Sequence, residues 1–213
     1  SVWLALAPGT YTVEVLDANG CSSVVDSLEV AEPVQLVADL GADLTVQLGD
    51  SATANVLINV PETQLDTIIW TPLVDPTKAG STSQQFFPLH TNLLEVKIVD
   101  TSGCTATDRI YCLVDTRRHI YVPNIFQPSS SENNVVTVFG GNDVAEIELF
   151  QVFDRWGDQV HQASNFLPND LTKGWTGRFG DREMQPAVYV WTVVALFKDG
   201  EREVFSGDVT LMR

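Results

Sequence analysis

Two stretches of the chain spell the same hairpin. "TYTVEVLDANGCSSVVDSLEV" (10–30) and "LLEVKIVDTSGCTATDRIYCLV" (93–114) each run as an alternating strand, an Asp, two residues, Gly-Cys and a second strand. Asp17 and Asp100 share a slot, and so do Cys21 and Cys104. Period-two alternation rich in Val and Thr marks half-buried strands, and a repeated strand-turn-strand unit marks repeated β domains. Each copy reads as the closing F and G strands of an immunoglobulin-like unit. The same alternation recurs in "VYVWTVVALF" and "GDVTLMR", with turn residues at Gly140-Gly141-Asn142 and Asp199-Gly200. No segment sustains a helical period. The fold class expected is all-β, as tandem immunoglobulin-like β-sandwiches.

Two linkers divide the chain. "AEP" (31–33) ends the first hairpin and "VDTRRHIYVP" (114–123) the second. Three units result: 1–33, 34–116 and 117–213. The first is too short to fold alone. It reads as the closing part of a truncated sandwich repeat, and the chain as the C-terminal piece of something longer. The second has sandwich size, with Trp70 of "DTIIWTP" where such folds keep a core aromatic. In the third, "AEIELFQVFDRWGDQVHQ" is a hairpin whose alternation slips at Phe150, predicting a bulge. "AVYVWTVVALF" is apolar on both faces, as a central strand is, and the Asp-Gly of "LFKDGEREVF" predicts a type I′ turn. The final strand, Gly207 to Met212, is expected to hold by its ladder and by Val209 and Leu211 on the inner face.

Charge narrows the partners. The 213 residues carry 12 basic and 28 acidic side chains, net −16. Residues 1–33 hold five acids and no base, 34–116 ten and three, and 117–213 thirteen and nine. Nucleic acid and anionic membrane surfaces need clustered cations and are not expected. No apolar run is long enough to span a bilayer. Only 117–213 is rich in cations, which makes Arg178 and Arg182 candidate contacts for a partner, against the plainer reading of solvated charge.

Candidate chemistry is sparse. His90, His119 and His161 lack ligand spacing, so no metal site is assigned. The serines of 80–83 and 129–131 sit in no nucleophile-elbow motif. No cofactor fingerprint occurs, and nothing marks the chain as an enzyme. Three cysteines are an odd count. Cys112 follows Cys104 along one strand, roughly 26 Å away at 3.3 Å per residue, beyond the about 4.4–6.8 Å between Cα atoms that a disulfide spans. No disulfide among Cys21, Cys104 and Cys112 is expected, and buried free thiols are. Of the five tryptophans (3, 70, 156, 175, 191), Trp70 and Trp191 sit in apolar strand runs and read as core. Trp175, in the Gly-rich "GWTGRFG", is the best candidate for stacking a surface glycan, although no polar cluster lies beside it. For Trp156 in "VFDRWGDQV", the preferred reading folds the ring onto the sandwich; the alternative leaves Arg155-Trp156-Gly157 as a surface corner gripped by a partner.

The third unit resembles the gliding motility-associated C-terminal domain, the type B sorting domain of the type IX secretion system. That family reads roughly "PN-F-P … V-Y-N-R-W-G-x-x-V … W-D-G … P-x-G-x-Y … G-x-V-x-L-x-R". The matching residues are Pro123, Asn124, Phe126 and Pro128; Asp154, Arg155, Trp156 and Gly157; Trp175 and Gly177; Tyr189; and Gly207 through Arg213. The match spans about 95 residues in the family's order. Residues 1–33 look like the end of a gliding-adhesin-type repeat, and 34–116 like a PKD-like domain. Departures exist. The family's acidic turn "N-G-D-G-x-N-D" is "SSSENNV" (129–135) here, so no calcium site is carried over. "W-D-G" is "W-T-G", and Ala187 or Val188 replaces the Gly of "P-x-G-x-Y".

The resemblance implies export across the outer membrane and placement at the outer cell surface. The partners it implies are the type IX secretion translocon and a PorP/SprF-like outer-membrane barrel protein. The reading preferred is part of a large secreted structural or adhesin-like surface protein. Two alternatives are a carbohydrate-binding accessory region of a secreted enzyme, and a subunit that self-associates into an extracellular β-sandwich fibre.

Overall fold

The hairpin repeat closes as its alternation requires. The computed structural model describes residues 6–32, 34–72 and 80–213; Trp3 lies outside them. Strands β1 (Gly9–Leu16) and β2 (Ser22–Val30) pair antiparallel as a two-stranded ribbon. Val13, Val15, Leu16 and Leu28 are exposed on it.

The middle sandwich is built from β3 (Ala38–Asp39), β4 (Leu44–Gln47), β5 (Ala52–Asn55), β6 (Leu57–Ile58), β7 (Leu65–Thr71), β8 (Ser83–Phe86), β9 (Asn92–Asp100) and β10 (Thr105–Asp115). One sheet has the order β4-β10-β9-β7, with β4 parallel to β10; β3–β6 and β5–β8 are short antiparallel pairs. Alternate residues of β9, Leu94, Val96 and Ile98, point inward and share one core with Trp70, Phe86, Ile110 and Cys112. Trp70 is buried, as its apolar strand predicts, and its indole N–H donates to the Ser81 carbonyl at 2.8 Å.

The last sandwich contains β11 (Ile120–Tyr121), β12 (Ile125–Phe126), β13 (Phe139–Gly140), β14 (Val144–Phe153), β15 (Gln159–Phe166), β16 (Arg178–Phe179), β17 (Arg182–Glu183), β18 (Ala187–Phe197) and β19 (Arg202–Leu211). Its main sheet has the order β12-β19-β18-β14-β15. Strand β18 is central, and its inward residues Tyr189, Trp191, Val193, Ala195 and Phe197 form the spine of the core. Helix is confined, among the described residues, to two three-residue 3-10 turns, Glu62–Gln64 and Leu171–Lys173. The fold is all-β, tandem immunoglobulin-like sandwiches.

The bulge expected near Phe150 is present: β14 slips register against β18 between Ile147 and Leu149, and also between Val144 and Glu146, and against β15 between Val152 and Phe153. One extra residue between Ile147 and Leu149 lets Ile147 and Phe150, three apart, both face the core. Other local expectations are corrected. The second face of β18 is only partly covered: Val188 and Val190 are exposed on it, while Thr192, Val194 and Leu196 are half-buried. The 198–200 hairpin is not type I′. Its loop has three residues, closed by Phe197 N–H to the Glu201 carbonyl, and only Gly200 has positive φ, +88°. A type I′ turn needs positive φ at both central residues, and Asp199 does not supply it. Strand β19 gains more than its antiparallel ladder: β12 pairs with it in parallel at Ile125–Thr210 and Phe126–Leu211. The cysteines are all free, but only Cys112 is buried; Cys21 and Cys104 are exposed beside their turns.

Candidate functional site

Asp154 begins the corner that carries Arg155 and Trp156. Its N–H donates to the Asp158 carbonyl at 2.9 Å, and Gly157 N–H donates to the Asp154 carbonyl at 3.1 Å. The Asp154 carboxylate accepts from the N–H groups of Trp156, 2.8 Å, and Asp158, 3.0 Å. Gly157 turns the chain at φ +87°, a conformation that costs glycine nothing and other residues strain. A short acidic side chain at the first position thus satisfies two turn donors that would otherwise face water.

This turn is the hairpin of the internal repeat. Asp17 accepts from Asn19 and Cys21 at 2.9 and 2.8 Å, with Gly20 at φ +82°. Asp100 accepts from Ser102 and Cys104 at 2.9 and 2.8 Å, with Gly103 at φ +84°. The motif Asp-x-x-Gly-x therefore occurs three times. The third copy has Asp158 where the other two have Cys, so the only sequence signal that links it to them is the spacing of Asp and Gly.

The turn presents its tip outward. Trp156 is 83% exposed, and Arg155 is exposed beside it. The expectation of a ring folded onto the sandwich is overturned. The reason is local: the two residues between Asp and Gly span the loop tip, where backbone bonds fix the chain and no second layer reaches.

The other motif residues gather at the same end of the sheet. Phe153, the last residue of β14, pairs with Val190; Tyr189 pairs with Val209, and Ala187 with Leu211. Beneath this end lies an aromatic column. Phe126 and Trp175 have ring centroids 5.3 Å apart, and Trp175 and Tyr189 meet edge-on at 4.6 Å. Trp175 is 1% exposed, and its N–H donates to the Arg178 carbonyl at 2.9 Å. Trp175, the best-placed ring for a surface glycan, is therefore no platform: the ring is core, and the Gly-rich loop folds over it. Tyr189 donates to the Gln185 carbonyl at 2.9 Å, and burial first, then the nearby Asp154 charge, pushes its phenol pKa up.

The remaining residues serve this packing. A Cβ on Gly177 would stand 3.0 Å from Pro128 and 3.2 Å from Leu211, and one on Gly207 would stand 2.5 Å from the Trp191 indole. The Asn124 carbonyl accepts from Thr210 N–H, one residue after half-buried Pro123. The segment 129–135 folds back onto the residues before it: Gln127 N–H donates to the Asn133 carbonyl, and the Asn133 amide donates to the Ile125 carbonyl. No group of three or more His, Cys, Asp and Glu that could hold a metal occurs among the described residues.

The cations divide into tied and free. Arg213 donates to the Met184 carbonyl and pairs with Glu183 at 2.5 Å. Arg178 pairs with Glu183 at 3.5 Å and donates to the Asp181 carbonyl, so it staples the β16–β17 hairpin. Arg155 and Arg182 are exposed and make no salt bridge among the described residues. The site is a pole with a rigid core and one amphiphilic tip, an indole next to a guanidinium. Such a pair can fill an apolar pocket while meeting a carboxylate.

No family model matches the chain, and no curated protein matches it. Solved structures match over most of its length at low identity. The N-terminal eight immunoglobulin domains of Down Syndrome Cell Adhesion Molecule are 14% identical, covering 96% of this chain and 30% of that one, with a TM-score of 0.34. The SGBP-B protein of a Bacteroides ovatus mixed-linkage glucan utilization locus, in complex with a heptasaccharide, is 13% identical, covering 96% and 47%, with a TM-score of 0.31. A bacterial ice-binding adhesin is 12% identical, covering 94% and 72%, with a TM-score of 0.33. The chain spans less than half the length of the first two.

Proposed function

We propose that the chain belongs to a secreted, adhesin-like protein of the outer cell surface, and that 117–213 is the type B sorting domain that directs its export by the type IX secretion system. Arg155-Trp156 is the contact point for the export machinery or for a PorP/SprF-like outer-membrane barrel. One observation carries this reading. An indole 83% exposed on a turn whose backbone bonds are already closed contributes almost nothing to folding. Its use lies in a contact outside the chain. The residues matching the sorting-domain motif support it, because Phe126, Trp175, Gly177 and Tyr189 build or pack against the column under this pole and Asp154 to Gly157 form its tip. Arg182 is a second candidate contact, while Arg178 is tied to Glu183 and Asp181.

Surface display of a reporter carrying the chain, scored by protease shaving of whole cells, tests the proposal. Trp156→Ala and Arg155→Ala are expected to reduce display while the melting temperature of the purified chain stays unchanged. Deleting 117–213 is expected to leave the reporter in the periplasm. Normal display after that deletion overturns the sorting role; normal display of the double variant overturns the assignment to the turn.

A further inference from the structure

The opposite pole of the last sandwich holds a residue that belongs, by sequence, to the middle one. Leu48, in the turn "QLGD" between β4 and β5, is 2% exposed and lies in the hydrophobic core of the last sandwich, not its own. We propose that this pole is a socket for the Leu48-Gly49-Asp50 turn, and that the two sandwiches unfold as one body.

Three kinds of contact converge there. The first is apolar, the Leu48 plug. The second is a close backbone approach. Gly49 sits at φ +88°, and a Cβ on it would stand 2.1 Å from the Asn142 carbonyl oxygen. Both the conformation and the space exclude a side chain. The Asn142 amide then donates to the Asp50 carboxylate at 2.8 Å, and Leu48 N–H donates to the Asp115 carbonyl at 3.0 Å, holding the plug at its base. The third is ionic. Arg118, on the linker, pairs with Asp199 and with Glu203, the latter at 3.0 Å, and its guanidinium lies 5.3 Å from the Phe197 ring centre. The Asp199 side chain is 4% exposed and that of Arg118 17%, so this linker pair is largely desolvated. Lys198 N–H donates to the Asp143 carbonyl at 2.9 Å, joining the two loops that form the socket. Neighbouring domains ordinarily move about their linker when few contacts cross it. Here the turn, the linker and both socket loops are fixed to one another.

The test uses the intact chain, by scanning calorimetry and amide exchange. The wild type is expected to show one transition for 34–213. Gly49→Ala is expected to split it in two, with amides of β14 and β18 exchanging at least about tenfold faster and those of β7 and β9 also faster, each set now at the rate of its own sandwich. Leu48→Asp is expected to do the same more strongly. Ile98→Ala, in the middle core, is expected in the wild-type background to lower protection in both sandwiches, and in the Gly49→Ala background only in the middle one. Unchanged exchange in β14 and β18 for Gly49→Ala, or two transitions already in the wild type, overturns the proposal.

Discussion

Two tryptophans in one sandwich, 156 and 175, give opposite predictions. Trp175 is 1% exposed, packs between Phe126, tilted against it, and Tyr189, edge-on, and spends its N–H on the Arg178 carbonyl. Trp175→Ala removes a fully buried indole, which costs about 3–5 kcal/mol, and a hydrogen bond worth about 1 kcal/mol more. Trp156 is 83% exposed, so truncating it falls within about 0.5 kcal/mol, the range of open surface sites. For a cooperative unit of both sandwiches, each kcal/mol moves the melting temperature by about 2–4 °C. Trp175→Ala is thus expected to lower it by at least about 6 °C and Trp156→Ala by less than about 2 °C. Calorimetry of the two variants reads this directly, and a urea titration with unchanged slope confirms that stability alone moved. A Trp156→Ala chain as unstable as Trp175→Ala would refute the exposed tip.

Asp154→Ala removes both carboxylate bonds of the turn and is expected to cost about 1–3 kcal/mol, read as a lower midpoint in urea. His161 rests against the Phe150 ring and bonds the Lys173 carbonyl at 3.0 Å, and burial pushes its pKa below 6.5. The folded state prefers the neutral ring, so its contribution is intact above pH 6.5 and is lost as the pH falls through the lowered folded value; a plot of melting temperature against pH is expected to flatten there in His161→Gln. A thiol reagent is expected to label Cys21 and Cys104 in the native chain and Cys112 only after unfolding, since Cys112 is buried and its thiol pKa raised by burial.

Strand periodicity made the sheets legible. Trp70, Trp191, Val209 and Leu211 are buried as their alternation implies, because a period of two assigns each residue to a face before any partner is known. What alternation cannot reach is the loop, where burial depends on what passes over it. Trp175 looked exposed among glycines, yet those glycines let the loop approach closely enough to cover it. Trp156 looked too large to leave in water, yet its position in a closed turn allows no cover. Leu48 was invisible as a junction residue. Nothing local distinguishes a leucine that fills its own core from one that fills its neighbour's. The hairpin at 198–200 shows the finer limit: Asp-Gly is compatible with two turn classes, and the neighbouring ladder selects between them.

The three Asp-x-x-Gly turns supply their own control for the tip. Their backbone bonds are alike within a few tenths of an ångström. They differ in the two residues between, which are Ala18-Asn19, Thr101-Ser102 and Arg155-Trp156. Small or polar pairs in the first two show that the geometry does not require an aromatic. Exchanging Arg155-Trp156 for Thr-Ser therefore preserves the turn and deletes only what it presents. The melting temperature is expected to stay within about 2 °C of the wild type, as at an open surface site, while display falls to the level of the 117–213 deletion. Placing Arg and Trp at 101 and 102 in that same chain is not expected to restore display, because that turn does not sit over the aromatic column. Restoration there would mean that the tip acts without its pole. Full display of the Thr-Ser chain would mean that the tip does nothing.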